Sequence, residues 1–147
     1  MKILNVLTLL VLSLPTFASG QMGLGVMLGN PTGLNGKYWL DNNRAVDAGL
    51  AYSFGKNSDL SLHSDYLFHK DEAFYLNDTH PLDLYYGIGG RMEFADDIEI
   101  GVRVPVGLAH KVNGGAADVF GEVAPIVDLF TKTGLELHFA IGARYYF

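Results

Sequence analysis

The chain contains no cysteine, which removes disulfides, thiolate metal sites and cysteine nucleophiles together. It is also short of basic residues: 10 Lys plus Arg stand against 16 Asp plus Glu, a formal charge of −6. A phosphate backbone recruits the opposite sign, so nucleic acid is not an expected partner. Beyond the first twenty residues no apolar run approaches the ~20 residues that a membrane-crossing helix needs, although 49% of the chain is hydrophobic. Such a chain crosses a bilayer only with strands that satisfy one another's backbone groups in a closed barrel. Its 147 residues leave room for one domain.

The amino terminus differs in composition from the rest of the chain. Lys2, the mostly apolar stretch Ile3 to Leu14, and Pro15-Thr16-Phe17-Ala18-Ser19-Gly20 carry the positive start, apolar core and small residues of a secretory signal peptide. This predicts a signal over residues 1–18, with cleavage after Gly20 as the alternative, and a single mature domain over 19–147.

The remainder alternates with a period of two, the signature of a two-faced strand. In Ile98 to Leu108, Ile98, Ile100, Val102, Val104, Val106 and Leu108 oppose Glu99, Gly101, Arg103, Pro105 and Gly107. Asp59 to His69, Leu82 to Phe94 and Leu135 to Phe147 behave likewise, and Gln21 to Gly29, Leu34 to Leu40, Arg44 to Phe54 and Asp118 to Phe130 do so with less contrast. Turn signals separate them at Asn30 to Gly33, Asp41 to Asn43, Gly55 to Ser58, Ala95 to Asp97 and Thr131 to Gly134. Longer connections are expected at Lys70 to Pro81 and Lys111 to Ala117. The prediction is all-β: an eight-stranded antiparallel up-and-down transmembrane β-barrel behind a cleavable signal peptide. An even strand number puts both termini on the periplasmic side, so these two longer connections are expected there, with the Asn57 turn outside.

Alternation alone does not say which face meets solvent, and a soluble lipocalin-like carrier shares it. Two features favour the membrane. The less apolar face is rich in small residues (Gly49, Ala51, Gly87, Gly89, Gly101, Gly107, Ala140, Gly142), as a narrow lumen holding Trp39, Tyr85 and arginines requires. Aromatic residues of the apolar face lie near strand ends, among them Tyr38, Tyr52, Phe54, Tyr66, Phe68, Phe94, Tyr145 and Phe147, as in interfacial girdles. Lys37, Arg91, Arg103 and Arg144 then face Asp47, Asp65, Glu93, Glu99, Glu122, Asp128 and Glu136 inside the lumen. Buried charges persist only when paired, so a structural ion-pair network plugging the lumen is expected.

At Gly29-Asn30-Pro31-Thr32-Gly33-Leu34, Lys37-Tyr38-Trp39-Leu40, Ala48 to Phe54, Tyr85 to Arg91, Gly101 to Leu108 and Ala143-Arg144-Tyr145-Tyr146-Phe147, the chain resembles a family of small bacterial outer-membrane β-barrel proteins of unknown function, of the OmpA/OmpX size class. The resemblance implies an outer-membrane location among lipid and lipopolysaccharide. The aromatic carboxyl terminus resembles the signal read by the outer-membrane assembly machinery. It brings no catalytic residues.

Some eight-stranded barrels modify lipid A, which makes His63, His69, His80, His110 and His138 candidate catalytic or metal-binding groups. In His63-Ser64-Asp65 adjacent side chains point to opposite faces, so the serine is not activated by its neighbours. His63, His69 and His138 have no short ligand motif. Gly87-Ile88-Gly89-Gly90 opens no helix and is strand glycine rather than a nucleotide loop. No catalytic residue, metal site or cofactor is expected, and a structural or interaction role in the envelope is the preferred reading over a lipid A-modifying enzyme or a soluble carrier.

Overall fold

The computed structural model describes residues 20–53, 59–129 and 134–147. The signal segment, the Gly55–Ser58 turn with Asn57, Phe54, Phe130 and residues 131–133 lie outside the described residues.

Nine strands are present: β1 (Met22–Asn30), β2 (Thr32–Trp39), β3 (Arg44–Ser53), β4 (Asp59–Leu76), β5 (His80–Phe94), β6 (Ile98–Arg103), β7 (Val106–Val112), β8 (Ala117–Asp128) and β9 (Leu135–Tyr146). β1 to β5 each pair antiparallel with the next. β6 and β7 share both neighbours, β5 and β8. β8 pairs with β9, and β9 with β1, so the pairings run in a ring.

β6 and β7 are two halves of one crossing. The expected segment Ile98 to Leu108 is interrupted at Val104–Pro105 because proline has no N–H to give the ladder. The register onto β5 and β8 is the same on either side, Gly89 opposite Arg103 and Tyr86 opposite Val106. The flanking carbonyl and amide still bond across: Gly87 N–H donates to the Pro105 carbonyl and Val104 N–H to the Pro125 carbonyl, each at 3.0 Å. The nine strands therefore make eight crossings.

The faces are inside-out relative to a soluble protein. Leu34, Ile88, Ile98, Ile141 and Leu135 are exposed, whereas Lys37, Asp65, Arg91, Arg103 and Arg144 are buried. Water would reverse this order, since apolar area is driven inward and charge outward. The arrangement fits hydrocarbon outside and a polar interior.

Both expected long connections are corrected. β4 runs on to Leu76 and β5 begins at His80, so the Lys70 to Pro81 segment is a hairpin arm joined by Asn77-Asp78-Thr79. Asn77 and Asp78 have φ of +51° and +56°, a left-handed conformation that Asn and Asp tolerate better than other side chains. The arm's alternation is hidden by a bulge: Lys70 pairs with Leu84 and Phe74 with Leu82, leaving three residues opposite Asp83. Asp83 Oδ1 accepts the freed N–H of Glu72 at 2.8 Å. Likewise Lys111 and Val112 remain in β7, and the connection is a short 3₁₀ turn at Asn113–Gly115. At the other end β2 starts at Thr32 rather than Leu34, so Pro31 alone separates it from β1.

Candidate functional site in the lumen

Cross-strand register decides which inward side chains meet. Asp118 and Arg144 are direct partners on β8 and β9, and Arg144 Nε donates to Asp118 Oδ1 at 3.0 Å. Tyr146 donates its hydroxyl to the same carboxylate at 2.8 Å. Arg144 also reaches Asn35 Oδ1 at 3.1 Å and lies 4.0 Å over the Phe120 ring. Asp118 and Asn35 were not anticipated from the sequence; Asp118 was visible only as the first inward position of its strand.

Two further arginines each gather several carboxylates. Arg91 contacts Glu93 at 2.7 Å, Asp128 at 2.6 Å and Glu136 at 2.7 Å. His138 Nε2 stands 3.1 Å from the other Glu136 oxygen. Arg103 contacts Asp65 at 2.9 Å and Glu122 at 2.7 Å, and the Tyr85 hydroxyl donates to Glu122 at 3.2 Å.

Several of these pairs span two strand spacings, and each passes over a glycine. Gly89 lies between Asp65 and Arg103, Gly101 between Arg91 and Asp128, Gly107 between Tyr85 and Glu122, and Gly25 between Asn35 and Arg144. A Cβ at Gly89 would sit 2.0 Å from Asp65 Oδ1, and one at Gly107 would sit 2.2 Å from Tyr85 Cζ. Both distances are far inside van der Waals contact. The small residues of the inward face are thus the channels through which the long side chains reach one another.

Three expected members behave differently. Lys37 is fully buried, and its ammonium lies 4.4 Å over Trp39 and 5.3 Å over Tyr85, without a hydrogen-bond partner on Nζ. Cation–π attraction replaces the expected ion pair. Asp47 stands in register with Lys37 on one side and Asp65 on the other, and its Oδ1 has no hydrogen-bond partner. Glu99 faces Glu93 near the strand end, half-buried, and makes no ion pair among the described residues.

His63-Ser64-Asp65 is divided between faces. Ser64 is exposed on the outside, where its hydroxyl donates to the Asp47 carbonyl at 2.9 Å, while His63 and Asp65 are buried inside. His69 packs against Trp39 and Tyr85, with ring centroids at 4.4 and 5.3 Å. His80 and His110 meet at 5.6 Å near the hairpin arm. His63, His69 and His138 do not converge; the one metal-ligand grouping among the described residues is Asp47, His63 and Asp65.

The family model for the outer membrane protein beta-barrel domain matches residues 4–147. The chain belongs to this family. It is accordingly a protein of the bacterial outer membrane, with its apolar face against membrane lipid. As an outer-membrane barrel it is similar in fold to the N-terminal β-barrel domain of Pseudomonas aeruginosa OprF, at 10% identity and a TM-score of 0.64, covering 86% of this chain and 96% of that one. It is also similar to Neisserial surface protein A, at 14% identity and a TM-score of 0.52, covering 86% and 93%. No curated protein matches the sequence.

Proposed function

We propose that this outer-membrane barrel has a structural or interaction role in the envelope, that its lumen is plugged by its own side chains, and that it performs no catalysis. The carrying observation is the size and position of the inward groups: Arg91, Arg103, Tyr85 and Lys37 are the largest fully buried side chains, and the arginines bind carboxylates on neighbouring crossings. Eight crossings give an interior about wide enough for side chains to fill. The separation of Ser64 from His63 and Asp65 supports the absence of a nucleophile–base pair.

The orientation follows the family's usual one, with both termini in the periplasm. Met22 pairs near Tyr38 and Gly23 opposite Tyr146, so the termini share their end with the Asn77–Thr79 and Asn113–Gly115 turns. The long β4–β5 arm is then periplasmic. The aromatic terminus Tyr145-Tyr146-Phe147 is the segment offered to the assembly machinery. Planar-bilayer recording tests the plug: no stable porin-sized conductance is expected, and a large reproducible open state would overturn it. Lipid A mass spectra with and without the gene test the rest, with an altered acyl pattern favouring a lipid-modifying enzyme.

A further inference from the structure

We propose that Asp47, His63 and Asp65 form a binding site inside the lumen for one divalent cation of the zinc type. One donor atom from each lies within 4.8 Å of the other two. All three residues are buried, at 3%, 6% and 1% exposure.

At this point a single guanidinium, Arg103, serves more than one carboxylate. Asp47 and Asp65 face each other in register across β3 and β4. Arg103 is shared between Asp65 and Glu122, and the Lys37 ammonium is turned onto Trp39 and Tyr85. Asp47 Oδ1 and Asp65 Oδ2 have no hydrogen-bond partner. A buried carboxylate oxygen without a donor is costly, and opposed carboxylates add repulsion. A dication bridging them removes both penalties.

The donors match the ligand. One imidazole nitrogen with two carboxylate oxygens suits Zn²⁺ and its first-row neighbours better than Ca²⁺ or Mg²⁺, which favour all-oxygen shells. Three protein ligands leave a fourth position for water. Tetrahedral bonds of ~2.0 Å need donors about 3.3 Å apart, so the three side chains, whose donor atoms lie within 4.8 Å of one another, draw together around the ion. The backbone makes room for it: a Cβ at Gly49 would sit 2.2 Å from His63 Cε1, and one at Gly89 2.0 Å from Asp65 Oδ1. Glycine at these two positions lets the imidazole and the carboxylate lie over the adjoining strands.

The test uses the full mature chain folded in detergent, stripped with chelator and titrated with Zn²⁺ by calorimetry. One equivalent is expected to bind. Zinc at a hundred times its Kd should lower the unfolding equilibrium constant about 100-fold. Asp47→Asn and His63→Gln should each weaken binding at least tenfold while the folded, heat-modifiable gel band persists. The His80→Ala/His110→Ala double variant should bind as the parent does. Where a lumen variant fails to fold, metal content of the folded parent by mass spectrometry, before and after chelation, decides. Three results would overturn the proposal: no stoichiometric zinc in the parent, binding unchanged by Asp47→Asn, or a protonated-carboxyl infrared band that Asp65→Asn removes and zinc leaves untouched. The last would mean that a shared proton occupies the pair.

Discussion

Replacing Arg91 by methionine removes the cation on which three carboxylates converge. The arginine side chain is 1% exposed, and Glu93 and Asp128 beside it are 9% and 14% exposed. Both would be left with little access to water and without this counter-charge. Breaking a buried pair from one side costs about 3–5 kcal/mol, most of it from the stranded charge. Glu136, at 38% exposure, regains hydration and adds little. The expected loss for Arg91→Met is therefore about 3 kcal/mol, near the lower end of that range, or roughly two orders of magnitude in the unfolding constant. Urea unfolding in phospholipid vesicles reads it through Trp39, the single tryptophan, with heat-modified migration as a second probe. Adding Glu93→Gln and Asp128→Asn to Arg91→Met should recover more than half of the loss, because neutral amides tolerate the site without a cation. Arg91→Lys should fall between, since one ammonium cannot reproduce a guanidinium fork serving several oxygens. An Arg91→Met variant within about 0.5 kcal/mol of the parent would refute the reasoning, because it would place these carboxylates in water rather than in a sealed lumen.

Gly107→Ala should destabilise by about 1–3 kcal/mol through overpacking against Tyr85, while Gly36→Ala, whose new Cβ meets nothing closer than Leu24 Cδ2 at 3.4 Å, should change the same urea midpoint little. An epitope tag inserted between Asn77 and Thr79 should stay inaccessible to antibody on intact cells and become accessible after outer-membrane permeabilisation; labelling of intact cells would invert the proposed orientation. Asp41, in the turn before β3, accepts backbone hydrogen bonds from Asn43 and Arg44 and bonds the Arg44 side chain, which holds its carboxyl below the ordinary value of 3.8. With the folded value depressed, its contribution is present above pH ~4 and disappears as pH falls through the lowered value; an NMR titration of the Asp41 carboxyl in folded and urea-unfolded protein should give the lower midpoint in the folded form.

The alternation of Ile98 to Leu108 and Leu135 to Phe147 made the crossings legible because a lipid-facing strand must show every second residue to hydrocarbon. It fails at Asp71-Glu72-Ala73, where three residues oppose one and the period slips, so the polar run carries the pattern of a loop. The break at Pro105 leaves no mark on the alternation for the opposite reason: proline interrupts the strand without breaking the period. In the lumen, the inward charges were legible one by one but their partners were not. Arg144 meets Asp118, and Lys37 meets rings rather than a carboxylate, because partner choice depends on the stagger between strands and on which intervening residue is glycine. Asp47 opposite Asp65 could not be foreseen without register, since each looked like an ordinary acceptor for an arginine.

The β1–β9 pairing joins segments from opposite ends of the chain, with Val26 opposite Ala143 and Met27 opposite Gly142, whereas the other crossings are joined to their sequence neighbours. Hairpins such as β4–β5 form from local contacts, but this seam waits until both chain ends are present. Entropy does not forbid it, because the cost of closing a loop grows only by about 0.6 kcal/mol for each doubling of length. Until it closes, β1 and β9 both present unpaired backbone edges, the form in which a strand accepts a foreign partner. Losing β9 would expose two edges at once, on β1 and β8, while shortening a turn would expose none. The seam is thus the molecule's most vulnerable line during assembly, and the last to become safe.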